Sequence, residues 1–141
     1  MDFLTSFRVT GSALEAQRMR LNIVSENLAN AQTTRTPEGG PYKRRDPIFT
    51  ARSFDSFLDE ELAPNATGVV VERIAVDRTP PRMQYDPTHP DANADGYVAM
   101  PNVDTVSEMV NMMSATRSYE ANVTVLNATK AMALKSLEIG R

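Results

Sequence analysis

A chain of 141 residues with 41% hydrophobic and 23% charged content can build one modest core. Its 15 Lys plus Arg against 18 Asp plus Glu, a formal charge of −3, argue against a nucleic-acid or anionic-membrane binder, and the absence of cysteine excludes disulfides, thiol nucleophiles and thiolate zinc sites. The N-terminus has no basic start followed by an apolar core, and nothing reaches the roughly 18 apolar residues of a membrane span, so the chain is expected to be cytosolic or exported without a cleaved signal.

In chain order, Phe7, Leu14, Leu21 and Leu28 recur every seven residues, with Thr10, Gln17, Val24 and Ala31 three further along. This is a stripe of coiled-coil period. Ser12 and Glu15 fit a capping box, which predicts a helix from Ala13 to about Ala31; Phe3 to Val9 either continues it or forms a separate arm, with Gly11 at the junction. Thr36 to Pro41 is dense in turn formers and stops any helix, and the loop from Gln32 to Pro41 is expected to be mobile. Strands are expected at Tyr42 to Thr50, Gly68 to Val76, Arg82 to Tyr85 and Gly96 to Met100, with Pro47 favouring a sheet edge. Together they would make a small β subdomain of four strands. Phe54, Phe57, Leu58 and Leu62 suit a short amphipathic helix within it.

From Asn102 to Leu137 neither Gly nor Pro interrupts helical periodicity. Met109, Thr116, Val123, Lys130 and Leu137 fall seven apart, as do Thr105, Met112, Tyr119, Leu126 and Ala133, which predicts one long helix with an apolar stripe. Thr105 with Glu108 fits a capping box, with Asp104 as the competing cap. Such a helix would run on the order of 50 Å and extend beyond the rest of the fold. The N-terminal stripe is its natural partner. Thr10, Gln17, Thr116 and Lys130 dilute the seam, which implies contacts to more than one neighbour, and Met109, Met112, Met113 and Met132 suit either a core or an assembly interface. The expected fold is α+β: long N- and C-terminal helices forming a coiled-coil-like inner domain (1–34 and 102–141) around a small β-rich central subdomain (35–101).

Catalytic chemistry finds little support. His89 stands in a loop with no nucleophile motif, and the acids Asp59, Glu60 and Glu61 diverge on any helix. Gly39-Gly40 is followed by Pro41, which lacks the N–H that phosphate loops use. Asp91, Asn93, Asp95 and Gly96 match the opening of a calcium loop, but Asn102 stands where a bidentate Glu belongs, so an Asx-rich turn is preferred. No catalytic, cofactor or metal residue is assigned, and no enzyme activity is expected.

Gly11-Ser12-Ala13-Leu14 through Arg20-Leu21-Asn22 to Ser25-Glu26-Asn27-Leu28-Ala29-Asn30-Ala31 resembles the N-terminal signature of bacterial flagellar rod and hook proteins. Gly39-Gly40-Pro41-Tyr42, His89-Pro90 to Asp95-Gly96-Tyr97-Val98, Pro101-Asn102-Val103, Glu108 to Met112, Arg117 to Asn122 and Lys135 to Gly140 resemble the proximal-rod members of that axial family. The segment from Ala51 to Ala66 matches none of its motifs. The resemblance implies a structural subunit exported unfolded through the flagellar type III apparatus, built into a helical tube that crosses the periplasm and carries torque from the membrane ring to the hook. It implies self-association and neighbours among the rod proteins FlgB, FlgF and FlgG, FliE and the MS ring, and no nucleic acid. On this reading Phe7, Leu14, Leu21, Val24, Leu28, Met109, Met112, Tyr119, Val123, Leu126 and Leu137 are the expected intersubunit and interhelix contacts. Asn27 and Asn30 would either fix register or cap the helix end. The competing reading is a helical adaptor or secreted interaction protein that binds one partner through its terminal helix pair.

Overall fold

A computed structural model describes residues 3–53 and 67–139. The short helix expected around Phe54 to Leu62 lies outside the described residues. The elements run α1 (Phe3–Ala29), β1 (Arg45–Ser53), β2 (Thr67–Val76), β3 (Arg82–Tyr85), β4 (Tyr97–Met100) and α2 (Thr105–Ile139). The α+β class expected from the sequence is what the chain forms.

The first helix passes through Gly11 without a break, so the capping box at Ser12 and Glu15 does not form. The Ser12 hydroxyl instead donates to Val9 O (2.8 Å) and accepts from Val69 N (3.1 Å), which ties the middle of α1 to β2. Glycine in a helix interior costs only about 1 kcal/mol, a penalty that tertiary packing overrides. The cap of α2 also falls on the competing residue: Asp104 accepts from Val106 N (3.1 Å) and from the Ser107 hydroxyl (2.9 Å). That frees Glu108 for another role.

The two helices run antiparallel, since Asn27 near the end of α1 meets Glu108 at the start of α2, and Arg20 reaches Asn111 one step further along both. At 1.5 Å per residue, α1 with 27 residues spans about 40 Å and α2 with 35 about 50 Å, so α2 overhangs. Leu137 near its end is 71% exposed.

The seam between them differs from the expected one by one position. Row 112, 119, 126 and 133 is half-buried as expected, but the row completing it is Glu108, Ala115, Asn122 and Thr129, with Ala115 and Thr129 buried. Met109, Thr116, Lys130 and Leu137 turn outward and Val123 is half-buried. One residue is 100° of helix, enough to move a row off the contact. In that second row the small Ala115 and the self-satisfied hydroxyl of Thr129, whose Oγ1 donates to Val125 O at 2.9 Å, allow burial without large apolar side chains.

The four strands form, among the described residues, two separate antiparallel pairs, β1 with β2 and β3 with β4. The first carries an irregularity between Ile48 and Phe49, just past Pro47, which cannot donate to a ladder. The hairpin packs on α1, and Ala16 and Ile23 are buried beside the N-terminal stripe. The second neighbour inferred from the diluted stripe is thus at least partly this chain's own hairpin. No described helix is long and apolar enough to cross a membrane.

Candidate assembly interface

The loop after α1, expected to be mobile, is closed by local backbone bonds. Thr33 N donates to Asn30 O, Tyr42 N to Thr33 O, and Thr36 and Gly40 close a turn in which Gly39 and Gly40 adopt φ of 90° and 77°. Positive φ at both is the physical reason for the paired glycines. Asp91 accepts from the Thr34 hydroxyl (2.8 Å) and pairs with Arg35, and the Thr34 bond, with Arg35 assisting, holds its carboxyl below the usual range.

This turn delivers Tyr42 to Arg45 across the junction of the two helices, where the most buried polar groups meet. Asn27 is 0% exposed and Glu108 1%. Asn27 Oδ1 accepts from the Tyr42 hydroxyl and from Arg45 N, both at 2.9 Å, while its Nδ2 donates to Arg45 O (2.8 Å) and to Glu108 Oε2 (3.1 Å). Arg44 Nε donates to Glu108 Oε1 at 2.8 Å, and Arg44 N donates to Asn102 Oδ1 at 3.0 Å. Burial disfavours the Arg44 cation, yet the hydrogen bond and charge of Glu108, with Asp46 adding to them, raise its pKa above the ordinary value. Arg45 pairs with Glu26 (2.8 Å) and lies over the Tyr42 ring.

Of the residues expected from the sequence, Asn27 lies at the centre of this hub and Asn30 does not. Asn30 Nδ2 donates to Glu26 O (2.9 Å) and its Oδ1 accepts from the Thr33 hydroxyl (3.2 Å), which serves the helix end. Val24 is buried; Phe7, Leu14, Leu21, Leu28, Met112, Tyr119, Val123 and Leu126 are half-buried along the helical pair; Met109 and Leu137 are exposed. Tyr42, Arg44, Arg45 and Glu108 were missed. A signal existed for Glu108, because it stands seven residues before Ala115 in line with the seam.

The remaining candidates are accounted for locally. Asn93 Oδ1 accepts from Asp95 N and Tyr97 N, so the calcium-like segment closes an Asx turn, and no cluster of three His, Asp or Glu among the described residues suits a metal. His89 Nδ1 accepts from Asp91 N at 3.1 Å. It lines an open cleft of about 530 Å³ with Arg82, Gln84, Met100 and Asn102.

What distinguishes the surface is its apolar content. Val106, Met109, Val110, Met113, Val125, Met132, Leu134 and Leu137 are all exposed on α2, and Phe3 and Leu4 on α1, while the buried side chains include many small ones. A single copy leaves this helical surface open to water.

The chain is thus a pair of terminal helices with exposed apolar surface and an intervening β region. Residues 7–35 match the flagella basal body rod protein family, and residues 94–139 match the C-terminal family of flagellar basal body rod FlgEFG proteins. The curated proteins similar to this chain include the flagellar basal-body rod protein FlgC of Bacillus subtilis, 48% identical with 96% of this chain and 97% of the relative covered. FlgC of Escherichia coli O6:H1 is 46% identical and that of Salmonella typhimurium 44%, each over the full length of both chains. The chain belongs to the FlgC family of flagellar basal-body rod proteins.

Proposed function

We infer that the protein is a structural subunit of the flagellar basal-body rod, placed in its proximal part. The observation that carries this is the set of exposed apolar side chains along α2, which a single copy leaves in water and which a helical assembly of like subunits would cover. Heterologous contacts repeated by a helical operator make a tube, and long helices packed side by side resist twisting, so torque is carried by packing. Residues 1–34 and 102–141 form the inner shaft and 35–101 the outer part. The route is export through the flagellar type III apparatus without a cleaved signal, and the neighbours are further copies, FlgB, FlgF, FlgG, FliE and the MS ring. The role is structural, with no catalysis.

Mass spectrometry of basal bodies purified through detergent and high-salt washes tests this directly. Several copies per particle are expected. Absence from intact particles would instead favour the helical adaptor.

A further inference from the structure

The cleft beside His89 lies apart from the exposed apolar side chains of α2. The residues that follow α1, both strands of the β3–β4 pair and the start of α2 enclose about 530 Å³. Val98 and Pro101, both buried, and half-buried Met100 make part of its lining apolar. Its polar groups divide by what they still need. Asp86 accepts from the Thr88 N–H (3.1 Å) and hydroxyl (2.7 Å), and Asp104 caps α2, so both acids are engaged within the chain. The donors are not. Asn102 Oδ1 accepts from Arg44 N, which fixes the amide, and its Nδ2 is a buried donor with no partner among the described residues. His89 Nδ1 accepts from Asp91 N, which leaves the ring proton on Nε2, and no acceptor among the described residues meets it. Arg82 forms no ion pair among the described residues.

An occupant must therefore bring acceptors, and the two acids decide which kind. Hydrogen bonds from Thr88 and from Ser107 hold the Asp86 and Asp104 carboxyls below the usual range, so both are charged, against one fixed cation, Arg82. A free anion or an acidic side chain would enter a site of net negative charge. Main-chain carbonyls accept as well and carry no net charge. Strand β3, which supplies Arg82 and Gln84, pairs with β4 alone and is exposed at all four residues, so an extended segment laid beside it meets main chain as well as these donors. A second copy of this chain offers no suitable segment among the described residues. Stretches 77–81 and 86–96 carry Asp77, Arg78, Asp86, Asp91 and Asp95, and the turn after α1 is closed by its own bonds. We propose that the cleft receives an extended, uncharged segment of a different rod subunit, whose main-chain carbonyls supply the acceptors that Arg82, His89 and Asn102 lack. This rests on the rod assignment and adds to it a contact separate from the helices.

The test is photo-crosslinking inside basal bodies from cells whose chain carries benzoylphenylalanine in place of Gln84, with the joined peptides read by mass spectrometry. The expected product links position 84 to another rod protein, at an uncharged segment outside its helices. Arg82→Met keeps an apolar stem but removes the donors, and it should lower that yield by roughly fivefold or more, with Arg82→Lys in between. The same probe in place of Gln32, on another wall of the cleft, gives the same readout if the substitution at Gln84 keeps the chain out of the particle. A link to a second copy, to a helix or to a charged segment would overturn the docking site. So would an unchanged yield in Arg82→Met, or no link from either position while the wild-type chain is present in the particles. Particles that lack the wild-type chain would instead overturn the rod assignment.

Discussion

Gly96 shows how one residue can be required twice. Its φ is 79°, and a Cβ built on it would stand 2.9 Å from Tyr85 Cε2 and 3.3 Å from Pro87 Cβ. Gly96→Ala is expected to destabilise the fold by about 1–3 kcal/mol, read from a denaturant midpoint, and trimming Tyr85 to Ala in the same chain should recover only the steric share. Tyr42 makes a second residue-scale case. Burial first, then the charge of Glu26, push its phenol above the ordinary 10.0, with Arg45 opposing and Glu108 adding. A raised pKa means the folded state holds the proton more tightly, so this contribution is intact below pH 10.0 and is lost as pH rises through the folded value. Tyr42→Phe should cost about 1 kcal/mol at neutral pH and flatten the alkaline limb of a pH-stability curve; an unchanged limb would mean that Tyr42 does not set it.

Helix α1 contains Gly11 at a place where nothing lies within 4 Å of an added Cβ and φ is not positive. Gly11→Ala should therefore stabilise the monomer by about 0.5–1 kcal/mol in thermal unfolding. A loss would mean that the helix bends or opens there. The heptad rows made both helices legible, and β-branched runs and prolines marked the strands closely, with β3 found at Arg82–Tyr85 as expected. The seam of α2 was legible in half. Row 112, 119, 126 and 133 announces itself by size, whereas Glu108, Ala115, Asn122 and Thr129 look like a solvated face until a partner satisfies them. Burial of Glu108 depends on Arg44 and Asn27, 64 and 81 residues away, which no local periodicity encodes.

The whole molecule separates residues that hold the monomer from residues open to neighbours. Met109 is 53% exposed, so Met109→Glu should change monomer stability by less than about 0.5 kcal/mol yet reduce incorporation into basal bodies and swimming. Leu28 is half-buried on α1, and Leu28→Asp should abolish rod assembly and motility with export retained, while also weakening the isolated chain. Normal swimming in either variant would remove that residue from the interface.

By itself the sequence determined the two helices, the β-rich middle, the turns and the family, because each is written in local spacing or in contiguous motifs. Only the tertiary structure decided which helix rows meet, that the middle splits into two hairpins, and that Asn27 and Glu108 are the buried centre of the junction. Those outcomes rest on donors and acceptors matched between distant segments, and a buried polar group reveals its partner only when the chain has brought the two together.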